Sequence, residues 1–343
     1  MRLILKKRNL KKMPKIHIIN QYVWPDGSPI CIICEQLTEY LTNQGESVAM
    51  VGGGGEYRPS ARPKPNIELV SLETKAYPRD TYLQILTEYF IVFKMFWKYV
   101  RRSVKEGDVL VITNSPFLNI FLRYAVFKRG VKSIFIMFDY FPASIISLKV
   151  PHIAHKIIKW WWDRELNKFD NVIKVSSNVG YEGPNAVIKR LWPMIDIKPN
   201  PDVAPKKMAL YTGNLGITHD VEALVKECYI LQEKGYEVNF YADGPGLEKL
   251  PAQLKPSVKG VFKDTPSLIK ALYEHEIHLI TGTIGTDESS FPSKIWNSLA
   301  SGRKVVACGF TGKMKLELDF ILASNYTAHL TEMASFIKEQ AHK

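Results

Sequence analysis

Ten short apolar runs, rich in β-branched residues and separated by stretches of helical period, constrain this chain more than any other feature. They are Lys15 to Asn20, Ser47 to Gly52, Val109 to Thr113, Ser133 to Phe138 and Asn171 to Ser176, then Met208 to Thr212, Glu237 to Ala242, Val258 to Phe262, Ile277 to Thr281 and Lys304 to Cys308. A strand apolar along its whole length is covered on both faces, and a helix of about 10 to 15 residues before the next strand is the crossover that parallel pairing requires. Between the two sets of five lies Pro193 to Pro205, with Pro193, Pro199, Pro201 and Pro205 and few large apolar residues, which reads as a linker. The fold class is therefore α/β twice over: two Rossmann-like domains whose parallel sheets face a cleft. The expected boundaries are a basic extension over 1–13, a first domain over 14–195, a linker over 196–205, a second domain over 206–325, and a C-terminal helix over 326–343 that packs back on the first domain.

The 343 residues exceed one ordinary core, and a composition 46% hydrophobic and 23% charged is that of a folded soluble chain. No run of about 18 apolar residues is present, and the opening stretch lacks the apolar core and cleavage site of a secretory signal. Four cysteines do not make a disulfide scaffold and fit a reducing compartment. The net charge of +12 is unevenly placed: residues 1–200 carry 30 Lys and Arg against 17 Asp and Glu, and the remainder 16 against 17. Such asymmetry predicts an anionic partner for the first domain, either a membrane surface or nucleic acid.

Tandem α/β domains bind ligands at the carboxyl ends of their strands, so the loops there should carry the chemistry. After the first strand comes Gln21 to Pro29, with Trp24, Gly27 and Ser28, followed by a helix from about Ile30 to Asn43. After the sixth run comes Gly213, Asn214, Leu215 and Gly216, with a helix near Val221. Glycine permits close backbone approach, and a helix start offers free N–H groups to an anion. Neither loop is a full GxGxxG or a Walker sequence.

Three C-terminal segments are more specific together: Tyr211 to Gly216 (YTGNLG), Ala242 to Gly246 (ADGPG) and Phe291 to Gly302 (FPSKIWNSLASG), the last leading into a strand. This series resembles the donor domain of the retaining family 4 glycosyltransferases of GT-B architecture, and the N-terminal NQYVWPDGSP looks like the opening of their bacterial surface-polysaccharide members. The resemblance runs through almost the whole chain from Met13. It implies a nucleotide diphosphate sugar donor, no cofactor and no metal. A diphosphate needs N–H groups and a cation, which Ser293 and Lys294 supply. Gly213, Asn214 and Gly216 would approach the donor, Gly244 and Gly246 would shape the wall near the base or ribose, and Asn297 would face the ribose. Two departures stand out. Where many members carry two glutamates, this chain has Ser289 and Asn297, with Glu288 one place away. The arginine and lysine that often follow the glycine loop are replaced by Asn214, Thr218 and His219.

Asp139, in a loop ending at Pro142, and Asp26 are the candidate catalytic carboxylates, placed to deprotonate an acceptor hydroxyl or to contact the donor sugar. Trp24, Gly27 and Ser28 would form the acceptor side. Cys31 and Cys34 form a C-x-x-C, but they share a helix face with Ile32, Ile33 and Leu37 and read as small apolar residues. From Tyr82 to Arg102, Leu83, Leu86, Phe90, Phe93, Trp97 and Val100 recur at helical spacing with Lys94, Lys98, Arg101 and Arg102. Trp160, Trp161 and Trp162 lie among Lys156, Lys159 and Arg164. Both segments suit a headgroup region. The expectation is a hexosyltransferase-type enzyme acting on a lipid-linked or glycan acceptor, peripheral on the inner face of the cell membrane, beside other glycosylation enzymes and without nucleic acid. The rival is a non-catalytic sugar-binding or scaffolding subunit of the same architecture.

Overall fold

The computed structural model describes residues 13–53, 62–72, 82–114, 116–144, 151–216, 219–282, 287–324 and 330–343. The extension up to residue 12, Thr218 and the side chain of Leu83 lie outside them. The strands are β1 Lys15–Tyr22, β2 Ser47–Gly53, β3 Leu69–Leu72, β4 Val109–Thr113, β5 Lys132–Met137, β6 Asn171–Lys174, β7 Ala186–Ile188, β8 Lys206–Asn214, β9 Glu237–Asp243, β10 His275–Thr281 and β11 Lys304–Cys308. The helices are α1 Pro29–Asn43, α2 Tyr82–Ser103, α3 Phe141–Ser144, α4 His152–Leu166, α5 Val221–Glu233, α6 Thr265–Glu274, α7 Lys294–Ala300, α8 Gly312–Ala323 and α9 Leu330–His342, with a 3-10 helix over Phe117–Val126.

The strands form two wholly parallel sheets, ordered β3-β2-β1-β4-β5-β6-β7 and β11-β10-β8-β9. All five residues of β4 are buried, as a central strand covered on both faces requires. The run Val258 to Phe262, expected as a strand, makes only a bridge from Val258 to Phe240. Gly260 takes a left-handed φ of +82° that ends extension, and Phe262 turns back to stack on Tyr241 at 4.1 Å and 11°. Conversely β3 and β7, at the two edges of the first sheet, are apolar but only four and three residues long, too short to register as runs.

The core of the first sheet does not stop at the linker. Met333, Ala334 and Ile337 of α9 join it beside α1, and Lys338 and His342 reach Glu46 at 3.1 and 2.9 Å. Met314, Leu318 and Ile321 of α8 belong to the same core, so the chain returns to the first domain before residue 325. Buried Glu317 of α8 accepts from Arg190 at 2.7 and 3.1 Å and from Ser177, tying the return across the junction.

Helices α2 and α4 both pack on the 3-10 helix. Val92, Phe96 and Val100 are buried, Phe93 and Trp161 lie against Phe121, and Trp162 is fully buried beside Phe141. Of the residues expected to face a membrane, Phe93, Trp97, Val100, Trp161 and Trp162 therefore belong to packing, because each helix needs that stripe to cover the sheet. Leu86, Phe90 and Trp160 remain exposed. Cys31 and Cys34 lie in the same core, where burial pushes both thiols well up.

Candidate functional site

In each sheet strand order reverses at one point, between β1 and β4 in the first and between β8 and β10 in the second. Chains leaving a parallel sheet at such a point diverge and open a crevice at the carboxyl ends. The two crevices face each other. Asn20, Gln21 and Tyr22 at the end of β1 and Thr212, Gly213 and Asn214 at the end of β8 line one cavity of about 570 Å³, closed by Ser28, Pro29 and Ile30 and by Ser293, Lys294 and Asn297.

Lys294 supplies the cavity's positive charge. Its ammonium donates to Tyr211 Oη at 3.0 Å and lies 4.1 Å from the centre of that ring. Tyr211 in turn donates to the carbonyl of Asn214 at 3.1 Å, so one buried phenol supports both the lysine and the glycine loop. Among the described residues no carboxylate pairs with Lys294, and burial lowers its pKa to about 7. A half-buried ammonium with no carboxylate beside it among the described residues is suited to an anion. Gly213 beside it takes φ +91°, open to glycine at no steric cost.

His219, which stands with Asn214 where the family often has arginine and lysine, lines the same cavity. The Gly216 N–H donates to its Nδ1 at 3.1 Å, which fixes the neutral ring as the Nε2–H tautomer and leaves that N–H as a donor. Burial, and then the charge of Lys294, lower its pKa. Asn297 Oδ1 accepts the N–H of Met194 at 2.9 Å, so its Nδ2 protons remain for the cavity. Ser289 instead lies buried at the junction, where its carbonyl receives the Tyr140 N–H, and Glu288 pairs with Lys313 at 2.9 Å.

Asp139 faces a second cavity of about 220 Å³, lined also by Asn114, Pro116, Phe117 and Phe141, which shares Ile30 and Tyr89 with the first. Burial raises its pKa to about 6, against a smaller lowering from the Asn114 hydrogen bond. An antiparallel bridge to Ser290 fixes its backbone against the second domain. The two cavities thus set a cation and a raised-pKa carboxylate on either side of Tyr89.

Several other candidates lie elsewhere. Asp26 is fully buried and its Oδ1 accepts the Ser28 N–H at 2.8 Å, so it shapes the loop and does not reach the cavity. Trp24 donates to the Arg62 carbonyl at 3.2 Å, and neither it nor Gly27 lines the cavity, while Ser28 does. Gly216, Gly244 and Gly246 stand behind the wall. Gly244, at φ +103°, lets its turn approach Leu215, and a Cβ on Gly246 would meet the Leu215 carbonyl at 2.6 Å. Aromatic Tyr241 and Phe262, stacked together, form a wall no motif had flagged. Among the described residues no group of three His, Cys, Asp or Glu is arranged to hold a metal ion.

No protein-family model matches the sequence, and no curated protein does. Solved structures do match. A sucrose-phosphate synthase from Thermosynechococcus elongatus aligns over 96% of this chain and 94% of its own at 12% identity and TM-score 0.61. A mutant TarM from S. aureus, in complex with Fondaparinux, alpha-GlcNAc-glycerol and UDP, aligns over 96% and 93% at 9% identity and TM-score 0.59. A UDP-forming alpha,alpha-trehalose-phosphate synthase from Burkholderia xenovorans, in complex with glucose-6-phosphate, aligns over 90% and 88% at 12% identity and TM-score 0.54. At such identities the likeness is one of fold: the chain has the GT-B architecture of two Rossmann-like domains.

Proposed function

We propose that this protein is a glycosyltransferase that moves a sugar, hexose in type, from a nucleotide diphosphate donor to a lipid-linked or glycan acceptor. The observation that carries the proposal is Lys294, an ammonium with no carboxylate beside it among the described residues, at the meeting point of two sets of strand ends. Breaking the bond from the anomeric carbon to the diphosphate leaves negative charge on the departing phosphate oxygen. Lys294 and the Nε2–H of His219 are donors on the wall where that charge develops, and they serve in place of a metal ion. The base would lie along Tyr241 and Phe262 and the ribose near Asn297. UDP is the first nucleotide to test, since two of the structural neighbours carry it in their descriptions.

The acceptor enters on the Asp139 side. With inversion, the Asp139 carboxylate takes the acceptor hydroxyl proton; with retention, which the motif resemblance favours, it contacts the donor sugar and the departing phosphate takes that proton. Closing the cleft around both substrates excludes water that would hydrolyse the donor. The setting we propose is the inner face of the cell membrane. A second reading, a non-catalytic sugar-binding subunit, draws on Ser289 being buried at the junction and on Asn297 spending its carbonyl on Met194.

A thermal-shift screen of UDP, GDP and ADP against their nucleosides tests the proposal, because a ligand that binds only the folded state raises its melting temperature. One diphosphate should raise it and its nucleoside much less. No shift with any nucleotide at millimolar concentration overturns the donor site, and a shift without transfer or hydrolysis of the matching nucleotide sugars favours the second reading.

A further inference from the structure

We infer that the outer face of α2 and α4 is a docking surface for an anionic lipid bilayer, with Leu86, Phe90, Ile153, Ile157 and Trp160 entering the headgroup and acyl boundary. These five side chains are between 51% and 74% exposed, and they fall on two helices of one domain that both pack on the 3-10 helix. Ile153, Ile157, Trp160 and Arg164 lie within about 60° of one another at 100° per residue, and Leu86 and Phe90 are one turn apart. Burying such residues in protein is ordinary; leaving five exposed on two helices that flank one 3-10 helix marks a surface that something covers.

The charges around the ridge name its partner. Lys94, Lys98, Arg101, Arg102, Lys156 and Arg164 are exposed and make no ion pair among the described residues. The acidic residues of the two helices are used up: Glu88 is buried with Gln21 and Tyr22, Asp163 pairs with Lys159 at 2.8 Å, and Glu165 pairs with Lys168. Apolar residues flanked by uncompensated cations fit a membrane interface, whereas a duplex would be met by cations without the aliphatic ridge. Among the described residues no helix is long and apolar enough to cross a bilayer, so the contact is peripheral. Tyr89 on α2 and Phe141 before α4 also line the Asp139 cavity, so the docked face would present that cavity to a lipid-linked acceptor. That last link rests on the transferase reading; docking does not.

Sedimentation of the full chain with vesicles of phosphatidylcholine alone, or with one-third phosphatidylglycerol, tests the inference without any donor or acceptor. Binding should be at least about tenfold tighter to the anionic vesicles and weaken as salt rises. Ile157→Ser with Trp160→Ser should cut the salt-resistant part about tenfold, and Lys94→Gln with Lys98→Gln the salt-sensitive part by a similar factor. Unchanged melting temperatures would show both pairs folded, as their exposure leads one to expect. Absence of vesicle binding at low salt, binding indifferent to both pairs, or displacement from vesicles by short duplex DNA each overturns it. A vesicle result leaves the nucleotide screen untouched, so the two readings fail separately.

Discussion

At the scale of single residues, the site is a matter of two displaced titrations. Burial holds Lys294 near pKa 7 while it is unliganded, and a bound diphosphate favours its charged form. Above pH 7, binding a nucleotide sugar should therefore take up a proton, and affinity should fall by up to about tenfold per pH unit until the pKa of the complex is passed. Calorimetry in buffers of different ionisation enthalpy reads that proton. Lys294→Ala should remove the proton uptake and weaken a nucleoside diphosphate about tenfold to a hundredfold, from roughly 1.5 to 3 kcal/mol of charge-assisted contact, with little change for the nucleoside. Equal losses for both ligands would make the lysine a packing residue. Asp139 is displaced the other way, to about 6, and works as a base only once deprotonated. If it takes the acceptor proton, kcat/KM should climb as pH rises through about 6 and decline above about 7 as free Lys294 loses its charge. Asp139→Asn should flatten the acid limb and lower turnover roughly 10²- to 10⁴-fold at unchanged nucleotide affinity. Full turnover in that variant leaves Asp139 a junction residue.

At the scale of elements, the motifs were legible where backbone alone decides and illegible where side chains meet across chain distance. Glycine turns announce themselves because a left-handed φ admits few other residues. Yet the sequence could not say that Gly213 faces the cavity while Gly244 and Gly246 support it from behind, since that depends on which turn lies in front. The same holds for carboxylates: Asp26 and Asp139 both follow strands, but the first spends its oxygen on the Ser28 N–H and only the second opens on a cavity. Tyr211, at the head of the YTGNLG segment, and His219, where the family often has a basic residue, carry no assigned role in the sequence because their roles come from a hydrogen-bond relay through Gly216, Asn214 and Lys294 rather than from a spacing. Strands β3 and β7, LVSL and AVI, are apolar but only four and three residues long, too short to stand out as runs. A matched pair of glycine variants tests the supporting role. Gly45 takes φ +84° with nothing within 4 Å of a Cβ, whereas a Cβ on Gly244, at φ +103°, would meet Asn214 Oδ1 and, at 2.7 Å, the Leu215 carbonyl. Gly45→Ala should cost about 1 kcal/mol from strain alone. Gly244→Ala should cost more in urea unfolding and should also weaken nucleotide binding, because the loop carrying Asn214 must shift. Equal costs for the two, with binding intact, would mean that the turn has room to yield.

For the whole molecule, the question is how firmly the cleft is framed. A chain of two α/β domains joined by a Pro-rich linker reads as two bodies, and the sequence divides cleanly at Pro193 to Pro205. The packing divides elsewhere: one core contains the first sheet, Ile295 and Trp296 of α7, Met314, Leu318 and Ile321 of α8, and Met333, Ala334 and Ile337 of α9. The second sheet keeps a separate core around Tyr211, Leu215, Phe240 and Leu279. Residues more than a hundred positions beyond the linker therefore hold up the first domain, and the crossing runs beside Asp139 and Ser290 at the mouth of the site. Ile337→Ala isolates this coupling, since Ile337 is fully buried and lines no part of the cavity that holds Lys294. Truncating a buried isoleucine costs about 2 to 5 kcal/mol, the range reflecting how far the surroundings collapse. That loss should appear in unfolding of the first domain, followed by tryptophan emission, since Trp97, Trp161, Trp162 and Trp192 belong to its core. Nucleotide affinity measured at low denaturant should stay at its wild-type value. If the tryptophan transition does not move, α9 is an appendage and the cleft is framed by the linker and α8 alone.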